Sequence, residues 1–289
     1  MPLKILLLSS IITFSLFASP TSCANIYLNN DAPDIINTKL TKSTKELCYK
    51  EFAVMHSGVS KTPLWSAEHL TRNTLSGKAD RSNDFHAEER LSHDERAELN
   101  DYAHTGYDRG HMAPSADFID PQSNQECFTL ANMVPQIHNN NAGIWSHIES
   151  ATRYLTKKVG EVYIITGPIY AGSNVQRIGG RVLVPTKIFK AIYVPSSGQG
   201  AAYLTDNIEG NNYQVLSIAE IEKLTGINLF PKMNQGAKQH AMELPIIKGA
   251  TQLPYQFQGG VDIAQQPTTK STGFLDKLER KIHNFNKGY

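Results

Sequence analysis

The chain has 289 residues, 40% hydrophobic and 19% charged, enough for one large domain or two small ones with an ordinary core. That composition excludes a chain that is disordered or collagen-like throughout. Lys and Arg number 28 against 27 Asp and Glu, so no global field draws in a polyanion, and a nucleic-acid partner would have to be held by a local patch.

Lys4 precedes an apolar run from Ile5 to Phe17 and small residues ending Ser22-Cys23-Ala24, the pattern of a secretory signal peptide over residues 1–24, cleaved after Ala24. The 13-residue run is too short to span a bilayer comfortably. No later stretch approaches 18 apolar residues, so a secreted or periplasmic protein without stable membrane association is expected. Lipid attachment at Cys23 is the other reading, and Pro20 stands where such signals want an aliphatic residue. Cleavage after Ala24 leaves Cys48 and Cys127, which are expected to pair in an oxidising compartment, two free buried thiols being the alternative.

Residues 25–45 form a polar lead-in. Alternation from residue 47 to 70 predicts two strands joined by a turn at Gly58. Thr71 to Asp101 is polar and reads as a long loop with a short helix near Asp94 to Asn100; so long a loop is uncommon unless functional. A strand over Cys127 to Val134, an amphipathic helix over Asn139 to Lys157 and a β-branched strand over Glu161 to Ile169 follow. Arg181 to Pro185, Ile188 to Val194 and Gly200 to Thr205 read as antiparallel strands. Ser217 caps a short helix to Leu224, with Glu220 three residues on and Gly226 ending it. Strands, one central helix, more strands and a late helix predict an α+β fold with an antiparallel sheet core, not a doubly wound parallel sheet. From Asn234 the texture turns to Gln, Pro, Gly and Thr. Residues 234–289 carry seven basic and four acidic side chains, so they read as a +3 appendage, extended or weakly ordered, with a helix from Gly273 to Phe285. The domain proper is therefore placed at residues 46–233.

The densest chemical cluster is Asp108-Arg109-Gly110-His111. In an extended segment side chains alternate, so Arg109 and His111 share a face and Asp108 points the other way. A cation beside His111 keeps its ring neutral and able to take a proton, while the guanidinium binds phosphate oxygens. The plainer reading is an Asp108–Arg109 ion pair on a loop. A second cluster joins it: Asn132-Met133-Val134-Pro135-Gln136, then Asn139-Asn140-Asn141, Gly143, Trp145, Glu149 and Arg153. On a helix, Asn141, Glu149 and Arg153 fall within roughly 120° of one another at about 100° per residue. An amide carbonyl with carboxylate help through water suits Mg²⁺, a hard ion that keeps most of its waters. Helix capping by Asn139 to Asn141 and an i, i+4 surface pair of Glu149 with Arg153 are the plainer alternatives.

Asp108-Arg109-Gly110-His111, Asn132-x-x-Pro135-Gln136 and Asn141-x-Gly143-x-Trp145 with Glu149 together resemble the DNA/RNA non-specific endonucleases, the ββα-metal nucleases of the Serratia and endonuclease G type. The likeness extends to Arg81-Ser82-x-Asp84-Phe85, Thr166-Gly167-Pro168, Val184-Pro185-Thr186 with Phe189-Lys190, and Ile221-Glu222-x-Leu224-Thr225-Gly226, covering about residues 46–232. The resemblance implies a ββα-metal motif with His111 as general base. It also implies Asn141 as the one direct protein ligand of a Mg²⁺ (Mn²⁺ substituting), Glu149 holding the metal's waters, and Arg81, Arg109 and Arg153 against phosphate. Arg72 and Arg90 lie in the same loop as Arg81 and compete for its place. DNA and RNA are then both substrates, cut by water to leave 5′-phosphate ends with little sequence preference. A zinc phosphodiesterase is a second class, though the chain after residue 24 has no close Cys or His pair at zinc spacing. An exported binding or structural protein on a catalytically inactive nuclease scaffold is a third.

Overall fold

The computed structural model describes residues 21–23, 25–77 and 79–255. The apolar run from Ile5 to Phe17 and the helix expected from Gly273 to Phe285 lie outside the described residues. In chain order, β1 (Asp34–Ile35), β2 (Thr44–Cys48), β3 (Phe52–Ser57) and β4 (Thr62–Thr71) come first. Next are α1 (Leu99–Tyr102), β5 (Tyr107–His111), α2 (Pro121–Glu126) and β6 (Met133–Ile137), then a π-helical turn over Asn140–Trp145 that runs into α3 (Ser146–Val159). Beyond α3 lie β7 (Glu161–Ile169), β8 (Arg177–Ile178), β9 (Val182–Leu183), β10 (Lys187–Val194), β11 (Gln199–Asp206) and β12 (Asn212–Leu216). The described chain ends through α4 (Ile218–Thr225), β13 (Ile227–Asn228), α5 (Gln235–Lys238) and β14 (Thr251–Gln252).

An eight-stranded sheet in the order β14-β12-β11-β10-β7-β4-β3-β2 forms the frame. Its ladders are antiparallel except for β12 with β14, so the fold is α+β as the element order predicts. Alternation sorts each strand's side chains onto two covered faces. On one, Trp65, Ile165, Phe189 and Leu204 pack with Ile218 and Ile221 of α4 and with Tyr27 and Leu28 of the N-terminal segment. On the other, Leu70, Ile164, Ile188 and Ile192 receive Trp145, Ile148 and Leu155 of the helical segment. Burial on both sides explains why β7 and β10 read as nearly continuous apolar runs. The helix α4 has the cap foreseen in its sequence: Ser217 and Glu220 form a reciprocal capping box, and Gly226 ends it at φ +69°.

Several boundaries differ from expectation. Cys48 is bonded to Cys23, not Cys127, with the two Cα atoms 5.2 Å apart. Alternation along β2 gives the reason: Leu47 points into the cluster that contains Cys127, so its neighbour Cys48 points the other way, towards Cys23. Cys127 is a free buried thiol that donates to the Asn124 carbonyl at 3.1 Å. Thr21 Oγ1 and Ser22 N both donate to the Glu46 carboxylate, at 2.7 and 3.2 Å, so residues 21–23 are anchored to β2. Cleavage after Ala24 would remove half of the disulfide, and a bonded Cys23 sulfur cannot carry a lipid thioether. The lead-in is a packed segment whose Ile26, Tyr27, Leu28, Ala32 and Leu40 are buried.

At the other end the boundary near residue 233 falls too early. Lys238 is buried and paired with Glu222 at 2.7 Å, Tyr203 Oη donates to the Pro245 carbonyl at 2.6 Å, and Ile247 lies in the core. Residues 234–255 thus form a strap over β11 and β12. Its apolar anchors, Met242, Leu244 and Ile247, follow no period, which is why composition alone made it look detached. The strand expected over Cys127 to Val134 begins only at Met133, because Leu130–Asn132 is a 3₁₀ turn. The short helix of the long loop lies at Leu99–Tyr102, later than Asp94 to Asn100.

Candidate active site

Strand pairing places the two sequence clusters on one hairpin. In β5–β6, Asp108 opposes Gln136, Gly110 opposes Val134 and His111 opposes Met133. Glycine suits position 110, where a Cβ would stand 2.0 Å from Gln136 Oε1 and 2.8 Å from its Cβ. Gln136 Nε2 donates to Asn140 Oδ1 at 2.7 Å, and Asn140 Nδ2 donates to Thr205 Oγ1 at 2.9 Å, tying hairpin, helical turn and β11 together. Trp145 Nε1 donates to the His111 carbonyl at 3.3 Å. The result is a β–β–α unit laid on the helix-covered face of the sheet, its helix kinked at Gly143 (φ −99°, ψ −109°) before α3 begins.

Arg109 and His111 share a face, as alternation predicts, and Phe85 lies against both: the Arg109 guanidinium is 4.1 Å and the His111 ring 5.8 Å from its centroid. Phe128 meets His111 edge-on at 4.8 Å, and the Arg81 guanidinium lies 4.8 Å from the Phe128 centroid. His111 is buried, and its Nε2 has no hydrogen-bond partner among the described residues. Burial, then the charges of Arg81 and Arg109, push its pKa down to about 3. The imidazole is therefore neutral across the physiological range.

Asp108, on the opposite face, does not pair with Arg109. Its Oδ2 accepts from Asn141 Nδ2 and from His138 Nδ1, each at 2.9 Å. A carboxylate only accepts, so it fixes the Asn141 amide with nitrogen towards Asp108 and leaves the carbonyl oxygen for a cation. Glu149 lies one helical turn beyond Trp145 and is half-buried. Burial raises its pKa to about 7, against the opposing pull of Lys190 and Arg153. The Asn141 amide oxygen and the Glu149 carboxylate are both hard donors of the kind Mg²⁺ takes while keeping most of its waters. Among the described residues, the one close trio of Cys, His, Asp or Glu donors is Cys23, Glu46 and Cys48, whose two sulfurs are bonded to each other.

Arg81 bears on both His111 and Glu149 and is steadied by Ser115, which accepts from Nη1 at 2.7 Å. Its competitors are engaged elsewhere: Arg72 donates to the Lys157 carbonyl at 3.0 Å, and Arg90 grips Glu88 and stacks on Tyr49. Arg153 does not form the surface pair with Glu149 but donates from Nη1 to the buried Asp117 at 2.8 Å. Arg109 has no carboxylate partner among the described residues. The sequence reading gave no role to Asp108, Asn132, Asp117 or Phe128. Asp108 and Asn132 sat inside the motifs; Asp117 and Phe128 are recognisable only once the chain is folded. Asn132 saturates its amide, accepting from Ser66 Oγ and Ala113 N and donating to the Ala113 and Cys127 carbonyls at 2.7 to 3.0 Å.

A sequence profile described as DNA/RNA non-specific endonuclease matches residues 31–236. The chain is 30% identical over 209 residues to the mitochondrial nuclease EXOG of Xenopus laevis, covering 65% of this chain and 58% of that protein. It is 33% identical to the mitochondrial nuclease of Saccharomyces cerevisiae, covering 66% and 67%, and 31% identical over 234 residues to a nuclease of Nostoc sp., covering 75% and 84%. Among solved structures, a chain from the EndoG/EndoGI inhibitory complex superposes with a TM-score of 0.63 at 27% identity, covering 66% of this chain and 88% of that one.

Proposed function

Given that this chain belongs to the DNA/RNA non-specific endonuclease family, we propose that it is an exported nuclease that hydrolyses phosphodiester bonds within DNA and RNA. The observation that carries the reading is His111: a buried, neutral imidazole with an unpartnered nitrogen, flanked by two guanidiniums. In this reading His111 takes the proton of an attacking water. Arg81 and Arg109 bind the phosphate and stabilise the charge added in the transition state, and the 3′ oxygen departs as a hydroxyl, protonated by solvent water, leaving a 5′-phosphate. Arg153, held by Asp117, balances Glu149. A Mg²⁺ held by the Asn141 carbonyl, with Glu149 on its water shell, supplies further neutralisation at the phosphate when bound. Nothing in this set reads a base edge or requires a 2′-hydroxyl, which supports activity on both polymers with little sequence preference.

Export rests on the apolar N-terminal run and on a disulfide that persists outside reducing compartments. No helix among the described residues is long and apolar enough to cross a membrane. The test is incubation of the purified protein with supercoiled plasmid and with a long RNA, with and without EDTA. Cleavage of both with Mg²⁺ and of neither with EDTA is expected; intact substrates under both conditions would refute the reading.

A further inference from the structure

The face of the sheet beneath the hairpin carries a cluster of buried polar side chains on three adjacent strands: Ser66 and Glu68 on β4, Thr166 on β7 and Lys190 on β10. Ser66 pairs with Thr166 across one ladder and Thr166 with Lys190 across the next. All four are 0% exposed. Placing a carboxyl and an ammonium there is expensive compared with apolar residues of the same size, so stability alone is a poor reason for them.

The bonds that leave the cluster are specific in where they end. Lys190 Nζ donates to Thr166 Oγ1 at 2.8 Å and to the Met112 carbonyl at 3.3 Å. It lies 3.7 Å from Glu68 Oε2 and 5.7 Å from the Trp145 ring centroid. Ser66 Oγ donates to Asn132 Oδ1, which also receives the Ala113 amide. Both routes reach the two residues that follow His111, and Trp145 holds the His111 carbonyl itself. Burial, then the neighbouring Asp117 carboxyl, push the Glu68 carboxyl well up, and the Lys190 ammonium opposes them. The Phe189-Lys190 pair singled out in the sequence thus has a place in the fold that no role assigned above uses.

We propose that Lys190 is a positioning residue of the catalytic centre: its buried ammonium, seated by Thr166 and balanced by Glu68, fixes the backbone after His111 and so the placement of the imidazole against the water it deprotonates. The role deepens the nuclease reading and rests on it. Lys190→Met alone strands Glu68 in the core and is expected to lose stability, which decides nothing about catalysis. The informative variant is Lys190→Met with Glu68→Gln, which removes the ammonium and the carboxyl together; Thr166→Val, which frees the ammonium but keeps both groups, is the second. Each is made in the full exported chain and compared with wild type by thermal melting and by steady-state cleavage of a short duplex at saturating Mg²⁺. The double variant is expected to melt near the wild-type temperature, to keep KM, and to lose kcat on the order of tenfold or more, because small misplacements of a reacting group are costly. Thr166→Val should show the same split with a smaller loss. Wild-type kcat in the folded double variant, or in Thr166→Val if the double variant does not fold, overturns the role, as does a loss confined to KM. A wild-type protein that cleaves nothing overturns instead the nuclease reading, and this role with it.

Discussion

At the scale of single residues, the proposed chemistry turns on a buried histidine without a carboxylate partner. His111→Ala is expected to lower kcat by about 10² to 10⁴-fold with the melting transition retained, the usual size of a general-base contribution. Acid stability carries the same signature. His111 and His56 are held at about 3 and about 4, below the ordinary value of 6.5, so the folded chain leaves them neutral where the unfolded chain takes up protons. Their contribution is present above the unfolded pKa and is lost as pH falls from about 6.5 towards 4. Melting of the metal-free protein at pH 7 and pH 4.5 should show that loss, and His111→Ala should make it shallower. A second residue-level expectation concerns the Asn141 amide. Asp108→Asn lets the amide turn over, and Asn141→Ala removes the oxygen, so both should raise the Mg²⁺ concentration needed for half-maximal activity, the alanine more. A Mg²⁺ titration of cleavage that overlays wild type for both would sink this account.

At the scale of elements, the hairpin and the helix are fitted through Gly110. Gly110→Ala should lower the melting temperature, with a cost of at least about 1–3 kcal/mol, because the new methyl meets the Gln136 side chain. Gln136→Ala in the same chain should restore part of the stability but not the activity, since the Gln136–Asn140 tie is lost. The β7, β10, β11 and α4 elements were legible because alternation, β-branching and a capping box are local signals. The site was legible for the same reason: Asp108 to His111 and Asn132 to Glu149 are short, contiguous runs. What escaped was everything decided by distance in the chain. Asp117 matters through Arg153, 36 positions away, and Glu68 through Lys190, 122 positions away in sequence. The β12 strand was missed because only three of its five residues are apolar and its partner β14 comes from the strap.

At the scale of the whole molecule, the two ends of the described chain are structural. A truncation after Tyr255 should keep a native melt, whereas one after Met233 strips Ile247 from the core and leaves Glu222 without Lys238, and should unfold or melt much lower. Under the proposed export, mass spectrometry should find a mature chain that begins upstream of Cys23 and is two hydrogens lighter than its fully reduced form. A thiol reagent under denaturing, non-reducing conditions should then label one cysteine, Cys127. Reduction is expected to cost about 2–4 kcal/mol by releasing the closed loop.

The pairing of Cys23 with Cys48 also sets a schedule. Of the three cysteines in the sequence these two come first in synthesis order, and only 25 positions separate them. Cys127 follows 79 residues after Cys48, so an oxidant that meets the chain as it emerges finds a single possible partner for each thiol. The native bond can close before any of the proposed catalytic residues has appeared, without a reshuffling step. Refolding from full-length denatured, reduced chains starts instead with all three thiols in competition. Cys127→Ala should therefore speed oxidative refolding in vitro and leave the yield of disulfide-bonded protein from secreting cells unchanged.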